Sequence, residues 1–326
     1  MPRPMLRRSG GRVVGPRARA IAGAIACSLA PFVVVPAAAS AQTAAARPMR
    51  RVEVRRAVTP NVSFRLVGAF ATLRVVGWAH DSVVITGTVP ADARFESAWG
   101  GQGGAASAGG KAYLEVPEHE GRALPAGTLE VRVPERARLW VKGGSAVIEA
   151  VGVQGGLDLA VVGGAIRVTG SPQELRADAM DGSITVVGSP AWMRAKTAAG
   201  AISVRGGSED ASLSTVTGAL MVGAGRWDRL RMETVAGPVT FAGDLARGAS
   251  VDVDSHGGTV ELRLPTTLPV ELDLATVTGR IENRWNERRP VPGREGRGME
   301  LGLTAHGGGS RVGVRTFKGT IRLTKR

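Results

Sequence analysis

The chain has 326 residues, 43% hydrophobic, 21% charged and 4% aromatic, with 46 Gly, 18 Pro, a single Cys and a formal charge of +14. So aliphatic a composition excludes a disordered chain, and glycine without a three-residue period excludes collagen. One Cys excludes an internal disulfide framework and any Cys-based zinc site.

In chain order, the first signal is a leader. Arg3, Arg7, Arg8, Arg12, Arg17 and Arg19 precede an apolar run from Ile21 to Ala38, and Ala39-Ser40-Ala41 follows. Basic, apolar, then small residues predict a signal peptide over 1–41, so six positive charges leave with it. Pro31 and Pro36 break the apolar run and argue against a permanent membrane span. Ala24-Ile25-Ala26-Cys27 offers a rival reading, lipid anchoring at Cys27, although apolar sequence continues past it. Arg7-Arg8 is a weak twin-arginine hint. The expected location is exported: periplasm, outer surface or extracellular, with no stable transmembrane span in the mature chain.

Residues 42–61, rich in Ala and Arg with Pro48 and Pro60, read as a linker. Residues 62–136 read as an N-terminal β-strand cap region, with alternating segments at Leu73–Val75, Val83–Ile85, Tyr113–Val116 and Leu129–Val133. Gly100 to Gly110 lacks the G-x-x-x-x-G-K-[S/T] pattern of a phosphate loop, and a strand rather than a helix follows Lys111, so it reads as a hairpin tip.

Residues 137–326 carry a repeat. Leu157-Asp-Leu-Ala-Val-Val-Gly-Gly-Ala-Ile-Arg-Val is echoed from Leu175, Met193, Leu230, Val251, Leu272 and Val312. A glycine marks the eighth place at 164, 182, 200, 218, 237, 258, 279 and 319. Apolar residues at places 1, 3, 10 and 12 predict two short strands per unit, each with one buried face. The Thr/Val/Gly segment between them is a turn, where glycine supplies either positive φ or close backbone approach. One unit cannot bury its own apolar side, so units stack about 4.8 Å apart. The expected fold is therefore all-β: a single-chain β-solenoid of about nine coils of 18–21 residues, with residues 62–326 one continuous domain. Ile166, Ile184, Ile202, Leu220, Val239, Val260, Ile281 and Ile321 form one core ladder in chain order. An antiparallel sandwich is the main alternative. The basic segment 283–311 breaks the period and reads as a projecting loop or degenerate coil. Lys318, Arg322, Lys325 and Arg326 are expected to blunt a terminal edge by charge.

Little chemistry stands out. His80, His119, His256 and His306 lie far apart without ligand spacing. Asp252-Val253-Asp254-Ser255-His256 has the letters of a hydrolytic triad but no nucleophile elbow. No catalytic, cofactor or metal residues are expected. Outward places form charge ladders, place 2 running Asp158, Arg176, Arg194, Ser212, Arg231, Asp252 and Asp273. Neighbouring coils are expected to pair Asp178 with Lys196 and Arg231 with Asp252. Arg176, Arg194, Lys196 and Arg231, together with Arg284, Arg288 and Arg289 of the basic segment, are the candidate surface for an anionic ligand. Trp140, Trp192 and Trp227 sit near corners or outward places, where Trp either stacks on sugar or staples the core.

Gly77-Trp78, Val131-Arg132-Val133-Pro134, Leu262-Arg263-Leu264-Pro265 and Thr316-Phe-Lys-Gly-Thr-Ile-Arg-Leu323 resemble the domain-of-unknown-function "putative adhesin" family, secreted or envelope bacterial proteins of β-strand repeats. The resemblance spans about residues 58–326 and implies a β-solenoid without established catalytic residues. The expected role is a non-catalytic envelope module that binds polysaccharide, lipopolysaccharide or an envelope protein, and no nucleic acid. The rivals are a solenoid polysaccharide lyase and a periplasmic partner of a membrane signalling system.

Overall fold

The computed structural model describes residues 48–100, 106–117, 127–293 and 296–326. The expected leader 1–41 with Cys27, the tip of the Gly-rich hairpin, and Arg294 and Glu295 of the basic segment lie outside them. The described residues belong to one compact unit, Ala46–Arg326. Among them every regular element is a strand.

The period-two pattern explains the strands directly. In Gly156–Thr169, Leu157, Leu159 and Val161 are buried while Asp158 and Ala160 turn outward. The same alternation recurs in Glu174–Ala179 and Trp192–Lys196. Each repeat unit contributes two such segments, and each segment pairs in parallel with its counterpart one unit away. Ile166 pairs Ile184, Ile184 pairs Ile202, Ile202 pairs Leu220, Leu220 pairs Val239 and Val239 pairs Val260. All six are buried, so two facing parallel ladders enclose one aliphatic core. Parallel pairing with both inner faces apolar is incompatible with the antiparallel sandwich.

The turn between the two ladders is tight for two reasons. A hydroxyl three residues before the marker glycine accepts a hydrogen bond from its N–H: Thr197 from Gly200 (3.2 Å), Thr215 from Gly218 (3.0 Å), Thr234 from Gly237 (2.9 Å) and Ser255 from Gly258 (3.1 Å). These hydroxyl residues are buried, so the turn's backbone is satisfied internally. The glycines also stack. A Cβ on Gly218 lands on the carbonyl oxygen of Gly200, one on Gly237 on that of Gly218, and one on Gly258 on that of Gly237. Close approach, not positive φ, is the general reason for glycine here; of the eight, Gly164 alone has a positive φ, +95°.

The order of rungs departs from the chain order at both ends. The last segment of the chain does not lie at the edge. Residues 310–316 pair with 250–255 on one side and with 270–276 on the other, and Ile321 sits between Val260 and Ile281. The expected ladder step from Val260 to Ile281 is thus interrupted by Ile321. At the other end residues 63–68 pair with 138–143 and with 109–114, and residues 72–76 pair with 147–151 and with 128–132. Residues expected only as a cap therefore supply two full rungs. The first and last rung-forming segments are each tucked one rung inside their end, so each has a pairing partner on both sides.

Antiparallel strands cover the outermost rungs. Arg94–Trp99 pairs antiparallel with residues 110–115, and residues 82–90 pair with 49–57 on one edge and 128–132 on the other. Residues 49–61, expected as linker, are therefore strand (Met49–Gly68), because alternate residues such as Val52 and Val58 are buried against the cap. At the opposite end Met299–Ala305 pairs antiparallel with Val270–Thr276. Residues 299–305 of the basic segment are thus an edge cover rather than a projection. Trp285 of the same segment is buried and its indole donates to the Leu264 and Pro265 carbonyls at 3.1 and 3.2 Å. Arg322 lies inside the stack edge, 3.3 Å from Glu282, so it pairs a neighbour instead of blunting a free strand.

Candidate functional site

The outward surface of the first ladder carries most of the candidate residues. The register places Trp140, Asp158, Arg176 and Arg194 in one file, and Ala160, Asp178 and Lys196 in the next. Arg176, Arg194 and Lys196 are therefore neighbours on two adjacent rungs. Arg231 lies two rungs beyond Arg194, past Ser212. Arg284, Arg288 and Arg289 are exposed beyond the Arg280–Asn283 segment of the second ladder, apart from this group.

Ion pairs run along strands more than across them. Arg176 Nε donates to Asp178 at 2.8 Å, and Arg231 Nε to Glu233 at 2.6 Å, with Asp254 at 3.5 Å from Arg231. Asp178 and Lys196 face each other in register, as do Arg231 and Asp252, but the long Arg side chain reaches its own i±2 carboxylate instead. Arg194 and Lys196 make no ion pair among the described residues, so they hold the available positive charge of the patch.

Next to this patch is a cleft that the repeat alone did not reveal. The file one place before the buried strand start reads Arg138, Gly156, Glu174, Trp192. Gly156 has no side chain, so it floors a gap between Arg138 and Glu174, with Asn61, Gln154 and Gln173 around it. Trp192 bounds one side and is 39% exposed. A second hollow shares Arg138, Gly156 and Glu174 and runs to Trp140, over which Arg65 lies at 5.6 Å. The pKa of Asp158, in that hollow, is raised from its ordinary value, first by burial and against the pull of Arg176. Extending the charge ladders by one place toward the N-terminus is the signal that exposes this file. Trp227, by contrast, is fully buried and staples the core.

The turn tips form another file. Backbone hydrogen bonds stack them in the order Val162, Met180, Ala198, Val216, Val235, His256, Phe317, Val277. The large aliphatic and aromatic members are each close to half exposed, and the His256 and Phe317 rings stack at 5.0 Å. The letters of a triad at 252–256 do not converge: Ser255 is buried in its turn and bonded to Gly258, while His256 faces outward. Among the described residues no helix is long and apolar enough to cross a membrane.

No family model and no curated protein matches this chain. Among solved structures it is similar to a "putative adhesin" from Bacteroides fragilis NCTC 9343, at 10% identity and TM-score 0.46, covering 84% of this chain and 97% of the other. It is also similar to a "putative cell adhesion protein" from Clostridium sporogenes ATCC 15579, at 9% identity and TM-score 0.23, covering 85% and 100%.

Proposed function

We propose that the rungs form a β-solenoid and that the protein is an exported, non-catalytic envelope module, adhesin-like in role, whose first-ladder face binds an anionic polysaccharide. The observation that carries this is the juxtaposition of two chemistries on one flat face. Arg194 and Lys196 stand without carboxylate partners among the described residues, beside a cleft floored by Gly156 and bounded by Trp192. Planar amides and Trp rings suit sugar hydroxyls and sugar faces, and unpaired guanidinium and ammonium groups suit carboxylate or sulfate. Residues along a stack repeat every ~4.8 Å, which favours weak contacts repeated along an extended chain. Arg284, Arg288 and Arg289 form a separate basic group that suits a lipopolysaccharide or lipid phosphate.

Binding of the protein to anionic polysaccharides across a salt series tests this reading. The double substitution Arg194→Glu, Lys196→Glu weakens binding about tenfold and removes most of its salt dependence, and Trp192→Ala weakens it without changing that dependence. Unchanged affinity in both variants moves the ligand off this face.

A second reading, a polysaccharide lyase, rests on the exchanged rung order. Gly313 lies between Asp252 and Asp273, and a hollow there is lined by both with Arg311 and Arg315. Turnover of an anionic polysaccharide, abolished by Asp252→Ala with the fold intact, establishes that reading; absence of turnover with and without calcium removes it.

A further inference from the structure

We propose that the file of turn tips is a self-association surface, and that its occupant is a second copy of this chain running antiparallel. Eight stacked tips at about 4.8 Å give an edge roughly 35 Å long. An exposed apolar strip of that length needs an explanation beyond isolated surface hydrophobics. The charges beside it select the partner.

Consider a two-fold axis crossing the edge midway between the rungs of Val216 and Val235. It sets Val216 against Val235 of the second copy, and Val162 against Val277. Met180 then meets Phe317, and the small Ala198 meets the bulkier His256 stacked on Phe317. Like-sized valines meet at the centre and at the ends, the small Ala198 leaves room for His256, and Met against an aromatic ring is a favourable contact.

The flanking files match under the same operation. On the first-ladder side Lys196 faces Asp254 of the second copy, so the dimer and an anionic polysaccharide compete for this one ammonium; Asp178 faces Arg315, and Ser214 faces Glu233. On the other side Asp181 faces Lys318, and the intervening Ala199, Thr217, Ala236 and Gly257 are small enough to let the edges close. Asp178 and Asp254 already contact Arg176 and Arg231, whereas Lys196, Arg315, Asp181 and Lys318 have no ion-pair partner among the described residues.

Other arrangements fail on charge. Shifting the antiparallel register by one rung sets either Asp178 against Asp254, or Lys196 against Arg315 and Glu233 against itself. A two-fold axis along the stack, which runs the copies parallel, sets Asp178 against Asp181 and Arg315 against Lys318. Like charges placed face to face are disfavoured in each, so one register is selected. A C2 contact is the expected form, because one patch serves both partners. The strip buries on the order of 1,000 Å² in total, at the low end for a specific interface, so the dimer is reversible and concentration-dependent.

Sedimentation of the purified protein over a concentration series tests the proposal. The expected result is a monomer–dimer equilibrium that Val235→Asp shifts to monomer, by at least tenfold in dissociation constant, with unchanged circular dichroism and melting. Asp181→Lys or Lys318→Asp alone weakens the dimer. The two together restore it, and five rungs separate these positions within one chain, so the rescue has to act between copies. A monomer at every concentration, or a dimer indifferent to Val235→Asp, overturns the proposal. A dimer lost in Val235→Asp but not restored by the charge exchange overturns the antiparallel register.

Discussion

Single positions here are constrained mainly by the distance between rungs. Gly218 is chosen because the Gly200 carbonyl, backbone that cannot swing away, occupies the place a Cβ needs, with the Thr215 hydroxyl beside it. Gly218→Ala therefore forces neighbouring rungs apart and costs about 1–3 kcal/mol, read as a melting point lower by several degrees. An unchanged melting point contradicts the close stacking. Asp158 gives a different test. Its folded pKa lies above the ordinary aspartate value, chiefly through burial, so the ionised form is disfavoured in the folded state. Folding thus binds a proton more readily than the unfolded chain between the two pKa values, and stability falls as pH rises through that window. Asp158→Asn is expected to be more stable than the parent at neutral pH, with the gap closing below about pH 4. A gap that persists in acid rules out ionisation as its source.

At the level of elements, the turn is a unit with two interlocking requirements. The buried hydroxyl of Thr234 accepts from Gly237 N–H, and the glycine stacks on Gly218. Thr234→Val keeps the volume but orphans a buried N–H, at a cost of about 1–3 kcal/mol. Thr234→Ser keeps the acceptor and is expected to recover most of that loss in a denaturant titration. This motif was half legible in the chain: Thr-Val-Thr-Gly occurs at 215–218 and 276–279, and the turn followed from it. That the hydroxyl points inward, and that the residue between, such as Val216 or Val277, points out, depends on how turns pile on one another. The candidate patch divides similarly. Arg176, Arg194 and Lys196 fall together because the repeat step is regular, whereas the pairing of Arg176 with Asp178 comes from side-chain reach that spacing alone does not report.

For the folded unit as a whole, the inserted end rungs matter most. Each rung contacts chiefly its neighbours, so damage is expected to stay local. Removing residues 310–326 strips a pairing partner from both 250–264 and 270–283. Hydrogen exchange of that variant is expected to show lost protection in those two segments, with residues 138–205 still protected. Uniform loss across the chain contradicts nearest-neighbour stability. Tucking the last rung inward also answers the edge problem without relying on terminal charges, because the exposed edge is handed to an antiparallel cover strand.

The period-two alternation and the recurring glycine determined that this chain is all-β, that its strands come in pairs, and that the pairs repeat; those follow from backbone geometry acting within about twenty residues. Which rung lies beside which at the two ends is decided by tertiary structure alone. Any two rungs with aliphatic inner faces are nearly interchangeable as neighbours, so local pattern carries no information about their order. The mixed-charge hollow at Gly313 and the His256–Phe317–Val277 part of the turn edge arise from that ordering, since each sets side by side residues from units that are not successive in the chain, whereas the Arg138–Gly156–Glu174–Trp192 file follows the chain order.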